Sequence, residues 1–399
     1  MRWLDVHGDG RLACGDCLEV MASLEPDSVA AIVTDPPYGL GFMGKAWDHL
    51  PPGRPWADQC VRVLKPGGWL VAFGGTRTIH RLTAALEDAG LEIRDTIAQC
   101  HWQGFPKSQD AAKALDGHQG VEREVVGQWR PEGTARPSAS GGGHGAAHSG
   151  EGPQEDRVAL GTLLPVTADT SPEARRWEGY GTALKPALEL AVLARKPLAG
   201  TLAHNLLTWG VGALNIDGTR HPAGSSLWPG PQDGSLARTN NTPEAYSPTA
   251  YTVAPKERTT FDRSERAGGR WPANLIHVPK SSTGEREAGT EGLRRVDPTE
   301  VTGRAVGSVG QDSPRAGLRG RARGNHHPTP KPVDLMRWLV RLVMPPDPEA
   351  VVLDPFAGSG STLIGAHLEG VRWMGVEREA DYCEIVKARL AHHTAQGRL

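Results

Sequence analysis

Residues 351–362 read Val-Val-Leu-Asp-Pro-Phe-Ala-Gly-Ser-Gly-Ser-Thr, and this stretch decides the fold class. The apolar run predicts a buried strand, the glycines let backbone approach a ligand closely, and the following helix offers free N–H donors. A second predicted strand, residues 373–376, ends in Glu377. A carboxylate at that strand end is well placed to accept both hydroxyls of a ribose. The pattern predicts an adenosine-type ligand at the carboxyl edge of an α/β sheet.

The glycine loop departs from the dinucleotide fingerprint G-x-G-x-x-G, because Leu363 occupies the position of the third glycine. This departure favours another adenosine ligand over NAD. A nicotinamide-dependent oxidoreductase remains an alternative, but it would leave the motif at residues 35–38 without a purpose.

That motif, Asp35-Pro36-Pro37-Tyr38, follows an apolar run at residues 29–33. A strand that ends in a carboxylate, two rigid prolines and an aromatic ring carries an acceptor, fixed carbonyls and a stacking face. These groups suit a flat substrate that bears an amine.

The two ends of the chain complement each other. The C-terminal strands need a third and a fourth neighbour, and the N-terminal segment supplies them at residues 12–14 and 29–34. Asp16 would then lie at the third strand end, where it could accept from an adenine amine. We therefore predict a doubly wound, Rossmann-like α/β sheet that is circularly permuted around an irregular middle.

The domain organisation follows from the composition along the chain. From 131 to 153, 17 of 23 residues are Gly, Ser, Pro or Ala, which cannot bury enough apolar surface to order the segment. The predicted divisions are one half of the sheet at 1–115, a flexible Gly/Pro-rich insert at 116–180, a returning strand at 181–200, a polar, turn-rich region at 201–324, and the other half of the sheet at 325–399.

Composition and charge limit the functional classes. The formal charge of −2 does not indicate a nucleic-acid binder, but the segment from Arg304 to Arg323 has five arginines and one acid. Such a segment can track phosphates. Its arginines are Arg304, Arg315, Arg319, Arg321 and Arg323. No apolar stretch suits a membrane span and no signal peptide is evident, so we expect a cytoplasmic protein. Five scattered cysteines argue against a disulfide framework, and the single Cys14-x-x-Cys17 pair lacks the partners of a metal site.

Five motifs occur in a fixed order: Asp35–Tyr38, Lys65-Pro66-Gly67-Gly68, His327-Pro-Thr-Pro-Lys-Pro332, Asp354-Pro-Phe-Ala-Gly-Ser-Gly-Ser-Thr362, and Gly375-Val-Glu377. In this order the chain resembles the S-adenosylmethionine-dependent DNA amino-methyltransferases in their β arrangement, which modify N6 of adenine or N4 of cytosine. The matching motifs cover about half of the chain.

The resemblance implies that 1–115 is the catalytic half, 201–324 the DNA target-recognition region and 325–399 the cofactor half. It also implies a role for each matching residue. Asp35, Pro36, Pro37 and Tyr38 would be catalytic, with Tyr38 stacked on a base flipped out of the duplex. S-adenosylmethionine would bind to Asp16, His327, Thr329, Lys331, Asp354, Phe356, Gly358, Gly360, Ser361, Thr362 and Glu377.

The substrate is less closely defined. An Asp at the first motif position favours N6 of adenine, and N4 of cytosine is the alternative. Carbon-5 methylation is excluded, because no cysteine follows a proline. The implied partners are double-stranded DNA and a cognate restriction endonuclease, for a monomer or homodimer. An RNA methyltransferase and a non-catalytic DNA-binding regulator remain more remote alternatives.

Overall fold

The computed structural model describes residues 3–7, 10–41, 48, 51–101, 108–129, 164–220, 271–297, 300 and 322–395. The chain divides into two compact units. The first comprises Met1–Gln103 and Ala187–Leu399, and the second comprises Gly104–Pro186.

Numbered along the chain, the described strands are β1 (Trp3–His7), β2 (Gly10–Cys14), β3 (Val29–Thr34), β4 (Leu64–Gly74), β5 (Glu92–Cys100), β6 (Val125–Trp129), β7 (Leu164–Thr167), β8 (Leu188–Arg195), β9 (Leu275–His277), β10 (Val351–Asp354) and β11 (Arg372–Glu377). The described α-helices are α1 (Cys17–Ala22), α2 (Arg54–Val63), α3 (Ile79–Asp88), α4 (Ala111–His118), α5 (Pro172–Arg176), α6 (Leu202–Trp209), α7 (Thr283–Glu287), α8 (Val333–Val343), α9 (Ser361–Leu368) and α10 (Ala380–Ala395).

Nine of these strands form one sheet in the first unit, in the order β1-β2-β11-β10-β3-β4-β8-β5-β9. Strands β2, β11, β10, β3 and β4 are mutually parallel, whereas β8 runs antiparallel to both β4 and β5. The C-terminal strands therefore lie between two N-terminal strands. This interleaving confirms the predicted α/β sheet, with its third and fourth strands supplied by the N-terminal segment.

The strands at the centre of the sheet are buried on both faces. All six residues of β3 are buried, which is why its sequence reads as a continuous apolar run. Helices α8 and α9 pack on one face, with Leu339 and Leu363 in the same core cluster. Helices α2 and α3 pack on the other face, with Trp56 and Leu86 in a second cluster. The direction of chain connection reverses between β10 and β3, and ligands of open α/β sheets bind at that switch point.

Of the expected recognition region 201–324, the structure describes residues 201–220, 271–297, 300 and 322–324. Helix α6 packs on β4, and its buried Asn205 donates to the carbonyls of Pro66 and Val211. Strand β9 extends the main sheet beside β5. Residues 202–220 and 271–297 thus belong to the first unit, because their side chains complete its core. Residues 221–270 and 301–321 of the expected recognition region lie outside the described residues.

The second unit contains the described flanks of the expected flexible insert at 116–180. Strands β6 and β7 pair antiparallel, and helices α4 and α5 pack together. The buried Asp116 carboxylate accepts from Arg123 at 2.9 Å and from the backbone N–H groups of Thr170 and Ser171. These bonds tie the flanks of the insert together. The glycine-rich stretch at 131–153, on which the expectation of flexibility depended, lies outside the described residues.

The structure contains a disulfide between Cys14 at the end of β2 and Cys383 in α10, with a Cα–Cα distance of 6.4 Å. Cysteine spacing could not predict this pair, because 369 positions separate the two residues. Among the described residues, no helix has the length and hydropathy needed to cross a membrane.

Candidate functional site

The candidate site lies at the switch point of the sheet, where β10 leads into the glycine loop and β3 leads into Asp35. A pocket opens there, with about 320 Å³ of empty space that includes open solvent. Seven of the eleven predicted cofactor residues line it, together with Asp35. Its lining consists of Asp35, His327, Thr329, Pro330, Lys331, Met336, Phe356, Ala357, Gly358, Ser359, Ser361 and Thr362.

The glycine loop adopts a conformation that few other residues accept. Gly358 has φ of +54°, and Gly360, which begins α9, has φ of +82°. A Cβ on Gly358 would lie 2.8 Å from the His327 Nε2 atom. The absence of a side chain therefore keeps the loop close to His327 and leaves the pocket open.

Glu377 fixes this loop from the neighbouring strand. Its Oε2 accepts from the Gly358 N–H at 2.8 Å, and its Oε1 accepts from the Glu379 N–H at 2.8 Å. Burial raises the pKa of Glu377 to about 7, although these two hydrogen bonds oppose the rise. The carboxylate is outside the pocket lining, so its contact with a ribose stays a prediction.

Asp354 joins the two halves of the chain. Its Oδ1 accepts from the Thr34 hydroxyl at 2.6 Å and from the Phe356 N–H at 3.0 Å. Burial raises the pKa of Asp354 to about 6, and the Thr34 hydrogen bond opposes the rise. The side chain braces β10 against β3 and does not line the pocket.

Asp16 also lies outside the pocket lining. Its Oδ1 accepts from the Leu18 N–H at 2.9 Å and thereby caps α1. The adjacent Gly15 donates its N–H to the Glu377 carbonyl, so Asp16 follows directly on the paired ends of β2 and β11. Its contact with an adenine stays a prediction.

The predicted catalytic motif forms a closed hydrogen-bond network. The Tyr38 hydroxyl donates to Asp35 Oδ1 at 2.9 Å, and Lys331 Nζ donates to Asp35 Oδ2 at 2.5 Å. Lys331 also donates to the Tyr38 oxygen at 2.9 Å. Thr78 donates to the Tyr38 carbonyl at 2.7 Å, which fixes the backbone after the buried Pro36. The network brings Lys331, predicted at the cofactor, into direct contact with the predicted catalytic carboxylate.

The charges of this network depend on burial. Burial raises the pKa of Asp35, and the neighbouring Lys331 charge opposes the rise. Burial alone would lower the pKa of Lys331, but Asp35, Tyr38 and Glu189 outweigh it and keep the amine protonated. Lys331 also lies 4.6 Å from the centroid of the Phe73 ring, a cation–π contact.

His327 is held in a neutral, fixed position. Burial lowers its pKa to about 3, and the nearby charges of Arg286 and Lys331 act in the same direction. Its carbonyl accepts from Arg286 at 2.8 Å, and its ring contacts the Tyr382 ring edge-on at 4.8 Å. The residue serves as a wall beneath Gly358.

Sequence reasoning missed two residues at this site. Glu189 in β8 lies 3.2 Å from Lys331 Nζ, and Arg389 in α10 donates to the Ser359 carbonyl at 2.6 Å. An acid inside the otherwise apolar run of residues 188–194 was a signal for Glu189. Arg389 gave no comparable signal, because its helix carries many charged residues.

The predicted DNA-contacting arginines are largely outside the described residues, namely Arg304, Arg315, Arg319 and Arg321. Arg323 is described, and its backbone forms an antiparallel bridge with Val296. Within the described ranges, no group of three or more His, Cys, Asp or Glu side chains is arranged to bind a metal ion.

Comparison with known proteins decides the family. The model of the family described as DNA methylase (N6_N4_Mtase) matches residues 29–116 and 233–388, which is more than half of the chain. This chain belongs to the DNA methylase family. The matched segments contain Asp35, Lys331 and the glycine loop. Glu189 of this DNA methylase lies in the unmatched stretch between the two segments.

Individual relatives of this DNA methylase match over shorter lengths. The type II methyltransferase M.HpaI of Haemophilus parainfluenzae is 33% identical over 109 residues, which is 25% of this chain and 35% of M.HpaI. The solved PvuII DNA methyltransferase (cytosine-N4-specific) gives a TM-score of 0.45 at 13% identity, covering 96% of this chain and 87% of that one. The M1.HpyAVI–SAM complex gives 0.39 at 16%, covering 96% and 100%.

Proposed function

We propose that this DNA methylase transfers a methyl group from S-adenosylmethionine to the exocyclic amine of a base flipped out of double-stranded DNA. N6 of adenine is the favoured acceptor, and N4 of cytosine is the second candidate. The observation that carries the proposal is that Asp35, whose carboxylate accepts from the Tyr38 hydroxyl, lines the same pocket as the glycine loop. An amine acceptor and an adenosine-type site thus meet at one switch point.

The residues of the pocket fit the cofactor of the family. S-adenosylmethionine, which supplies an electrophilic methyl on a sulfonium centre, is the methyl donor that this family uses. Gly358 leaves room for it against the backbone, whereas Gly360 lies outside the pocket lining and a Cβ there would meet Val386. Ser361 and Thr362 offer hydroxyls at the start of α9, and Phe356 offers an apolar wall. We assign the ribose to Glu377, the adenine to Asp16 and the methionine end to Thr329, Lys331, Ser361 and Thr362.

Asp35 would act on the amine of the flipped base. Such an amine is a poor nucleophile, because its lone pair is delocalised into the ring. Hydrogen bonds to Asp35 and to the Pro36 carbonyl would localise the lone pair on nitrogen. The amine then forms the nitrogen–carbon bond while the carbon–sulfur pair stays on sulfur. Its surplus proton passes to Asp35 or to water.

Tyr38 would stack on the flipped base. Its backbone is fixed by Thr78, and its hydroxyl is bonded to Asp35, so the ring has little freedom to turn away. Stacking on an aromatic ring compensates part of the energy lost when the base leaves the duplex.

The same geometry would serve N6 of adenine and N4 of cytosine. Our preference for adenine therefore depends on the identity of the residue at the first motif position, Asp35. The arginines between 304 and 323 are our candidates for phosphate contacts, and residues 201–324 contain our candidate for base recognition. We further propose a cytoplasmic protein, acting as a monomer or homodimer and paired with a cognate restriction endonuclease.

Modification-sensitive sequencing of DNA from cells that express this chain, with nucleoside mass spectrometry, tests the proposal. N6-methyladenine or N4-methylcytosine at one recurring sequence is expected, and the nucleoside identifies the base. Cells that express Asp35→Ala should lack the mark, while the purified variant still binds S-adenosylmethionine by titration calorimetry. Binding is retained because Lys331 keeps Glu189 as its partner.

The matched control is Asp58→Ala, which removes an acid that is half exposed and pairs with Arg54 within α2. This variant should methylate like the parent. Full methylation by Asp35→Ala would refute the catalytic assignment, and a mark found only in RNA would refute the substrate.

A further inference from the structure

Two carboxylates share one ammonium group at the catalytic centre. Lys331 has three N–H donors, and their acceptors are Asp35 Oδ2 at 2.5 Å, the Tyr38 oxygen at 2.9 Å and Glu189 Oε2 at 3.2 Å. All three donors are therefore used, and the lysine side chain is only 6% exposed. A change that strengthens one of these three hydrogen bonds therefore weakens the other hydrogen bonds of Lys331.

Glu189 is held from its other side as well. Its Oε1 lies 3.4 Å from Lys280 Nζ and 3.7 Å from His101 Nε2. The His101 side chain is 1% exposed, and its Nδ1 is buried without a hydrogen-bond partner in the described structure. A buried ring directed at Glu189 and a lysine on the adjoining segment after β9 fix the carboxylate on β8. Three basic side chains around the one carboxylate of Glu189 indicate a role besides the stability of β8.

We infer that Glu189 is a positioning residue, which shares the positive charge of Lys331 with Asp35 and so leaves Asp35 a stronger acceptor for a hydrogen bond from the substrate amine. The inference rests on the proposed function. It concerns an acid outside the two segments that match the family, on a strand that contributes none of the recognised motifs.

The geometry separates the two carboxylates by role. Both oxygens of Asp35 are engaged, Oδ1 by Tyr38 and Oδ2 by Lys331. Each carboxylate oxygen has a second lone pair, but a full ion pair with Lys331 weakens Asp35 as an acceptor. A second anion beside Lys331 divides that positive charge. Asp35 then keeps enough negative charge to accept a hydrogen bond from the amine.

The proton affinities of the two acids are consistent with this division. Burial would raise the pKa of Glu189, but Lys331, His101 and Lys280 hold it well below its ordinary range. Burial raises the pKa of Asp35, and the charge of Glu189 adds to that rise. Neighbouring acids whose proton affinities diverge in this way commonly take different parts in a reaction. Glu189 stays ionised, and Asp35 is the group able to take up a proton.

Glu189→Gln tests the inference, because it keeps the shape of the side chain and removes its charge. Lys331 would then pair with Asp35 alone. We expect kcat for methyl transfer to fall about tenfold or more, while the affinity for S-adenosylmethionine changes by no more than about twofold. Glu189→Asp keeps the charge and should recover part of the lost kcat.

The pH profile of kcat distinguishes positioning from simple support of the fold. The groups that act on Asp35 are Tyr38, Lys331, Glu189 and, across β10, Asp354. Asp35 is active as a carboxylate, so the rate falls as the pH drops through its pKa. Removing the negative charge of Glu189 lowers that pKa. The acid limb of Glu189→Gln should therefore move to lower pH by about one unit, even though its plateau is lower.

Glu92→Gln is the matched control. Glu92 is also a glutamate of the β5–β8 strand pair, but it bonds Arg195 at the opposite end of β8. This variant should leave the acid limb unmoved. A Glu189→Gln enzyme with unchanged kcat, or with a lower plateau and an unmoved limb, would overturn the inference. Failure of the proposed function looks different, because the parent enzyme itself would then leave DNA unmethylated.

Discussion

Glu377→Gln gives the most direct test of how the cofactor loop is held. The parent carboxylate is buried, and its pKa is raised from 4.5 to about 7. The native state therefore binds more protons than the unfolded chain between these two values, so stability falls as the pH rises through this window. A difference of this size corresponds to about 3 kcal/mol at pH 8, relative to pH 4. The variant has no such titration.

The Glu377→Gln substitution also replaces one carboxylate oxygen, a hydrogen-bond acceptor, with an NH2 group. One of the two backbone N–H groups, from Gly358 or Glu379, must face the new NH2 group, because the amide retains a single oxygen. That loss costs about 1–3 kcal/mol at every pH. We expect the variant to be clearly less stable than the parent at pH 5 and close to it, or more stable, at pH 8.

Chemical denaturation of both proteins at pH 5, 6, 7 and 8 measures the difference. Glu384→Gln, an exposed glutamate of α10 that pairs with Lys387, is the control, and its difference from the parent should not vary with pH. A difference between Glu377→Gln and the parent that stays constant from pH 5 to 8 would refute the reasoning about burial.

Calorimetry at pH 8 tests the second role of the same residue. If Glu377 accepts the ribose hydroxyls, the variant loses hydrogen bonds to a charged group, and its affinity for S-adenosylmethionine should fall about 10- to 100-fold. For the parent, affinity should weaken below pH 7 as the carboxyl becomes protonated. Binding within twofold of the parent would assign Glu377 to the loop alone.

Two further substitutions test the residues around the pocket. Gly358→Ala places a Cβ 2.8 Å from His327 Nε2 at a φ of +54°. Calorimetry should therefore show at least a tenfold loss of cofactor affinity, and denaturation should show a loss of about 1–2 kcal/mol of stability. Unchanged affinity would mean that the loop relaxes freely. Thr34→Val keeps the side-chain shape and removes the hydrogen bond to Asp354. Denaturation should show a loss of about 1.5–3 kcal/mol of stability that is larger above pH 6, where Asp354 is ionised, than below it. A loss of stability that does not vary with pH would contradict the ionised state of Asp354.

The fold could be read from the sequence where single segments carry their own signal. Strand β3 is buried on both faces and reads as an unbroken apolar run, and its exit into Asp35 located one edge of the site. Helix α8 showed its apolar face through residue spacing. Strand β9 has three residues, too few for any periodicity, so its place beside β5 could not be predicted.

The sequence motifs located residues that line the pocket, but they did not indicate the hydrogen-bond partners of those residues. The glycine loop and Lys331 belong to contiguous motifs, and the structure brings them to one pocket. The partners of Lys331 are different, because Asp35 and Glu189 come from segments far from it and from each other. Asp354 shows the same limit. Its motif suggested a cofactor contact, whereas its side chain is used to hold Thr34.

The permuted order of the chain is compatible with a stable sheet, because a long connection adds little closure entropy. The Thr34–Asp354 hydrogen bond joins adjacent strands that are 320 positions apart. A βαβ unit joins such strands through about 40 residues, and each doubling of a flexible connection adds about 0.6 kcal/mol of closure entropy. Going from about 40 to about 320 residues is three doublings, or about 2 kcal/mol.

That cost is comparable with the one buried hydrogen bond between Thr34 and Asp354, and much smaller than the burial of a whole strand. The sheet can therefore hold its catalytic and cofactor strands side by side while the intervening chain varies in length. The pairing of β3 with β10 brings the two together, because both the acceptor at Asp35 and the glycine loop begin where these two strands end.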